Sequence, residues 1–182
     1  ELAISAMHIW LSCPGSIALK RQMEAEGCMP EAGEDAERGT RIHEIAAKIE
    51  EAFLEERETG EKTEVSFEGD DEDEVAVAKL LFKYVWENIL NHSITDKVWG
   101  LEDRFYISKK FDIFGSADIW AIEIDDKGKR RGIIDDHKTG RHIVDVIKNP
   151  QLGGYGLGLL LFVREQGKDL DYVDTFITQT DP

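Results

Sequence analysis

Near Thr95 the spacing of the apolar residues changes from that of a helix to that of a strand, and few architectures accommodate both halves in one chain. Upstream, Ile42, Ile45, Ala46, Ile49, Ala52 and Phe53 recur at helical spacing and predict an amphipathic helix over about residues 35–58. Val75, Ala78, Leu81, Phe82, Val85 and Ile89 predict a second long helix that ends near Asn91. Residues 5–23 read as two short helices, with Ser5 and Ser12 as N-cap candidates and Pro14 in a first helical turn. Gly27, Pro30 and Gly33 make 24–34 a loop, and 59–69 is a polar linker. Downstream, residues 98–107, 113–124 and 130–137 are rich in β-branched and aromatic side chains and predict strands. Asp125-Asp126-Lys127-Gly128 has the chemistry of a tight turn, so the second and third of these segments form a β-hairpin. Asn149-Pro150 opens a helix from Gln151 to about Gln166, and residues 172–179 make a last strand. Helices, three antiparallel strands, a helix and a strand follow one another, the order of a mixed α/β (α+β) fold.

At 182 residues the expectation is one domain over 1–182, with a helical part at 1–94 and the sheet and its helix at 95–182. Hydrophobic residues make up 41% of the chain, enough to bury a core, which excludes disorder throughout. The longest nearly unbroken apolar run, 157–163, is far short of the roughly 20 residues that span a bilayer, so no membrane partner is expected. No basic segment followed by an apolar stretch and a small-residue cleavage site opens the chain, and the expected location is cytoplasmic. Two cysteines, Cys13 and Cys28, are too few for a disulfide framework or a four-thiolate iron–sulfur cluster.

The net charge of −16 argues at first against a nucleic-acid partner, but the charge is regional. Residues 50–74 hold thirteen acidic residues against Arg57 and Lys62, a local net of −11, and the other 157 positions carry −5. That stretch reads as a solvated helix end and a flexible acidic loop. Its five consecutive acids, 70–74, lack the alternating ligands and central glycine of a calcium loop. Basic residues gather at Lys127, Lys129, Arg130 and Arg131, and again at Lys138, Arg141, His142 and Lys148. Charge therefore leaves a phosphate-backbone ligand open.

Opposed residues in a hairpin have a constant index sum. A centre at Lys127 makes that sum 254 and sets Asp118 opposite Asp136, with their Cβ atoms about 4.5–5.5 Å apart on one face. Strand alternation puts Lys138 on that face and turns His137 and Asp135 to the other. Two carboxylates that close need a cation or a shared proton. A hard divalent cation such as Mg²⁺ (or Mn²⁺) suits oxygen ligands of this kind, and it polarises phosphate and water while a lysine offsets developing charge. The same residues would also fit a solvated hairpin with one surface ion pair. The glycines at 153, 154, 156 and 158 are not followed by Gly-Lys-Ser/Thr, so they read as close helix packing rather than a phosphate loop.

Gly115-Ser116-Ala117-Asp118, followed by Ile133-Ile134-Asp135-Asp136-His137-Lys138-Thr139-Gly140, resembles the core of the PD-(D/E)XK nuclease superfamily, and more narrowly its RecB-type branch. Gln151-x-x-x-Tyr155 is similar to that branch's downstream motif, and Gly39-Thr40-Arg41-Ile42-His43 to its upstream Gly-Thr-x-x-His element. The opening 5–16 resembles the start of phage and prophage members, and the likeness spans roughly 5–180. The resemblance implies a restriction-endonuclease-like core: a central mixed β-sheet with an antiparallel hairpin, flanked by helices. It implies that His43, Asp118, Asp136 and the backbone carbonyl of His137 bind the metal, with Lys138 positioning the attacking water. It also implies that Gln151 and Tyr155 contact DNA or orient the lysine, and it makes Glu102 a lesser candidate for a second metal or a water. The implied activity is a Mg²⁺-dependent DNA exonuclease of phage or prophage recombination. Its substrate would be linear duplex ends, with a single-strand annealing protein as a possible companion. Members often continue past the last strand, so the chain is expected to be truncated at Asp181-Pro182. Rival readings are a structure-specific endonuclease, a nuclease acting on RNA, a non-catalytic nucleic-acid-binding module, and an acidic DNA mimic.

Overall fold

The structure, a computed structural model, describes residues 2–87, 98–140 and 143–180. A short strand β1 (Leu2–Ala3) and a 3₁₀ turn (Ile4–Ala6) lead into helices α1 (Met7–Ser12) and α2 (Gly15–Glu26). Neither expected serine cap is used. Ser5 lies inside the 3₁₀ turn, Ser12 closes α1, and neither helix start has a side-chain cap. The residues before the two helices, Ala6 and Pro14, have φ −97° and −55°, without the extended backbone from which a capping side chain folds back.

Helix α3 (Glu34–Thr59) begins with Glu34, Asp35 and Glu37, whose charge complements the helix N-terminus, and stops at Gly60 in the left-handed region (φ 75°). Helix α4 (Glu72–Val85) follows, and its predicted end near Asn91 lies outside the described residues. Ile42, Ile45 and Ala46 of α3 meet Val75, Ala78 and Leu81 of α4 in one apolar cluster, with Phe67 packed against it. The acidic run before and within α4 is exposed at Asp71, Glu72 and Asp73, as expected, but part of it also makes specific contacts. Asp71 caps the helix by accepting from the Asp73 and Glu74 amides at 3.0 and 3.1 Å. Asp70 pairs with Lys48, and Glu74 is buried under a bidentate contact from Arg41. Glu50, at the other end of the same stretch, is buried as well.

The expected strands are cut in two. Residues 98–107 supply β2 (Val98–Leu101) and β3 (Arg104–Ser108), while 113–124 supply β4 (Ile113–Ser116) and β5 (Ile119–Ile124). The breaks fall side by side: Glu102 takes φ 52°, and its amide donates to the Asp118 carbonyl at 3.2 Å. Each long segment therefore serves two sheets, one ordered β1-β4-β3 and the other β2-β5-β6-β7, where β6 is Arg130–Lys138 and β7 is Tyr172–Gln179. The turn between β5 and β6 forms as predicted, with Gly128 at φ 75° and the Asp125 carboxylate accepting from the Lys127 and Lys129 amides. β6 and β7 run parallel, and the crossover between them carries α5 (Pro150–Glu165).

Alternation along β5 and β6 sorts the core. Trp120 and Ile134 face α5 together with Phe105, Tyr155, Leu159 and Val163. Ile119, Ala121 and Ile133 face Val85 of α4. Two of the four α5 glycines are close-packing residues: a Cβ on Gly154 would lie 2.7 Å from Ile4, and one on Gly158 would lie 2.7 Å from Phe105, whereas Gly153 has open space and Gly156 only ordinary contacts. Helices thus cover both faces of a mixed sheet. No helix among the described residues is long and apolar enough to cross a membrane.

Candidate active site

The β5–β6 ladder pairs Ile119 with Asp135 and Ile124 with Arg130, the register of index sum 254. One step beyond the last pair, that register sets Asp118 opposite Asp136 at the break between β4 and β5. The break lets the Asp118 side chain meet two elements at once. His43 Nδ1 from α3 lies 2.9 Å from its Oδ1, and the His137 backbone amide donates to its Oδ2 at 2.5 Å. Glu102, held by the neighbouring break, completes a group: one ligand atom each from His43, Glu102 and Asp118 lie within 4.8 Å of one another.

Asp136 sits in an adjoining set. The Lys138 ammonium is 2.6 Å from its Oδ2, and Gln151 Nε2 donates to its Oδ1 at 3.1 Å. Gln151 Nε2 also donates to the Tyr155 hydroxyl at 3.1 Å. The local sequence explains the placement. Asn149 caps α5 by accepting from the Gln151 and Leu152 amides, and Pro150 takes the first turn, where its missing N–H costs nothing. Gln151 and Tyr155 then lie one turn apart on a single face. Gly39 brings α3 close: a Cβ there would stand 3.0 Å from Thr139 Oγ1, just past Lys138.

The residues singled out from sequence therefore converge, in two sets. Glu102 joins His43 and Asp118 more closely than Asp136 does, although the sequence ranked it lower. The two carboxylates feel one another. Burial pushes the Asp136 carboxyl up; Lys138 opposes this and Asp118 adds to it, leaving it above its ordinary value. Burial pushes Asp118 up too, but the His43 hydrogen bond and the charge of His137 outweigh it, and its carboxyl ends below its ordinary value. Partial desolvation and the Asp118 charge raise Glu102. Burial and the Asp136 charge raise Tyr155.

Sequence reasoning missed a second polar layer on the opposite face of β6. His137 Nε2 lies 3.1 Å from Asp135 Oδ2 and 3.9 Å from Glu50 Oε1, and the Thr178 hydroxyl donates to Asp135 Oδ1 at 2.8 Å. Burial pushes the Glu50 carboxyl up to about 8, although the His137 charge opposes it. Burial would lower His137, but the hydrogen bond and charge of Asp135 outweigh it and lift the imidazole to about 9. The signal was present as the seven-residue spacing of His43 and Glu50, two turns apart on one helix face.

The donor set, carboxylate oxygens with one imidazole and no thiolate, fits a hard divalent cation such as Mg²⁺ or Mn²⁺ better than a soft one. The excess of carboxylates over nearby cations is the electrostatic side of the same fit.

Fold and site together define a mixed α/β protein whose sheet gathers carboxylates, a histidine and a lysine at the ends of β5 and β6. A family model described as "Protein of unknown function (DUF2800)" matches residues 1–180, and the chain belongs to that family. No curated protein and no solved structure matches it.

Proposed function

We propose that this chain is a metal-dependent nuclease that hydrolyses phosphodiester bonds in DNA, on a restriction-endonuclease-like core of the PD-(D/E)XK kind and its RecB-type branch. The observation that carries the reading is the opposition of Asp118 and Asp136 across the β5–β6 hairpin, with His43 on the first and Lys138 on the second. His43, Glu102, Asp118 and Asp136, with the His137 carbonyl, are the residues that would hold the cation. A bound divalent cation supplies Lewis-acid polarisation of phosphate and acidifies water.

The chain's own residues do the rest. His43 and the His137 amide fix both oxygens of Asp118, so that carboxylate is held in one orientation. Gln151 anchors Asp136, and Tyr155 fixes Gln151 in turn. Lys138, paired with Asp136 at 2.6 Å, orients the attacking water and offsets negative charge as it develops in the transition state. This preorganisation favours in-line attack on phosphorus. We assign digestion from linear duplex ends, in phage or prophage recombination, with the cytoplasm as the setting and an annealing protein as companion.

End-labelled linear duplex and closed circular DNA, incubated with Mg²⁺ or Mn²⁺, test this directly. The expected result is metal-dependent loss of the linear substrate alone, with activity falling at least about 10³-fold in Asp136→Ala, since the variant removes a group that acts with its neighbours as a unit. Cutting of the circle would make the protein an endonuclease. Turnover unaffected by Asp136→Ala would remove the assigned site.

A further inference from the structure

Behind Asp118 and Asp136, four polar side chains from three elements are closed off from solvent: Glu50 of α3, Asp135 and His137 of β6, and Thr178 of β7. Glu50 is only 4% exposed, and its Oε1 accepts no hydrogen bond among the described residues. A carboxyl group so placed, with an oxygen left without a partner, costs more than an apolar side chain of similar size would, so packing does not account for it. Its position does. Two turns earlier on the same face of α3, His43 reaches Asp118 Oδ1. His137, whose ring centre lies 6.0 Å from that of His43, gives its amide to Asp118 Oδ2 and turns its imidazole between Asp135 and Glu50. One oxygen of Asp118 is thus hydrogen-bonded to α3 directly, and the other meets it through the His137 amide and the 3.9 Å approach of the imidazole to Glu50. Thr178 anchors the far end by holding Asp135.

We propose that Glu50 is a positioning residue: through His137 it sets the depth at which α3 docks against β6, and so the geometry in which His43 meets Asp118. The consequence for turnover rests on the nuclease reading, whereas the consequence for geometry does not. The proposal separates stability from site order. Removing the buried carboxyl group relieves the cost of an unpartnered polar atom while it loosens the site.

Glu50→Leu and Glu50→Gln test it, read by NMR of the metal-free protein. The His137 amide proton and the His43 ring nitrogens report the two Asp118 contacts. Glu50→Leu is expected to move both sets of signals toward solvent-like values, with a thermal midpoint at or above that of the wild type. Calorimetric affinity for Mn²⁺ alone, and kcat on linear duplex, should each fall about 10- to 100-fold with KM within about twofold, the range for residues that orient ligands. Glu50→Gln, which keeps a polar contact to His137, should restore both to within about threefold. Thr178→Val should shift the same signals in the same direction, and it carries the test if Glu50→Leu fails to fold. Unchanged His43 and His137 signals in the variants overturn the proposal, as does a loss of affinity that merely tracks a lowered midpoint. If wild type cleaves nothing while the signals still shift, the nuclease reading falls and the positioning role stands.

Discussion

Gly153 and Gly158 lie on the same helix and respond in opposite ways to an added methyl group. A Cβ on Gly153 meets nothing within 4 Å, whereas one on Gly158 would lie 2.7 Å from Phe105 Cβ, an atom that cannot move without its strand. Alanine gains up to about 1 kcal/mol over glycine in a helix interior. Overpacking a filled site costs about 1–3 kcal/mol. Gly153→Ala should therefore stabilise the protein by about 0.5–1 kcal/mol in urea denaturation, and Gly158→Ala should destabilise it by about 1–2 kcal/mol. The sequence showed four closely spaced glycines, and close packing accounts for Gly154 and Gly158 but not for Gly153. Which glycine bears the contact depends on where β3 crosses α5, and no local pattern records that. His43 and Glu102 show the same division. The histidine was legible through its motif, but Glu102 takes its place through a backbone turn at φ 52° that its neighbours in sequence do not announce.

At the scale of the element, the β5–β6 hairpin is the part that sequence arithmetic located best, because turn chemistry fixes register and register fixes which side chains oppose. Its turn makes a pH prediction. Asp125 accepts from the Lys129 amide, the Tyr172 hydroxyl and the Lys127 amide, and these contacts hold its carboxyl below the ordinary value of 3.8. A depressed carboxyl contributes stability above its unfolded value and loses it as pH falls through the lower folded value. Circular dichroism melts from pH 5 to pH 2 should show the wild type losing stability through and below pH 3.8 more steeply than Asp125→Ala. Equal slopes would mean the turn contacts are not made in solution. The strand breaks at Glu102-Asp103 and Ala117-Asp118 were missed, although Asp, Glu and Ala are residue types that strands disfavour. The apolar residues on either side carried the reading through them, and each half pairs into a different sheet.

For the whole molecule, the nuclease reading raises the question of how a chain of net charge −16 would bind a polyanion. The acidic stretch is spent on structure in part: Asp71 caps α4, Glu74 locks α3 to α4 through Arg41, and Glu50 lies behind the site. Among the site groups, carboxylates outnumber cations, so on that reading phosphate would approach only after a divalent cation had bound. The nuclease reading therefore predicts that Lys138→Ala, which keeps every carboxylate of the site and should not cleave, binds linear duplex at least about 10-fold more tightly in Ca²⁺ than in chelator, followed by fluorescence anisotropy. It also predicts a shallow dependence on monovalent salt, because few phosphates are neutralised by side chains. Affinity indifferent to divalent cations would mean that DNA is held elsewhere on the protein.

The sequence by itself determined the elements, the hairpin register and the convergence of Asp118 with Asp136 and Lys138. Those follow from short-range rules: helical spacing, strand alternation, and a turn whose residues admit one geometry. Tertiary structure alone decided the entry of Glu102 beside His43 and the burial of Glu50 against His137. These depend on how α3 settles against the sheet. That depth is set by packing between residues far apart in sequence, here Gly39 against Thr139 and His43 against Asp118, and no window along the chain contains both partners.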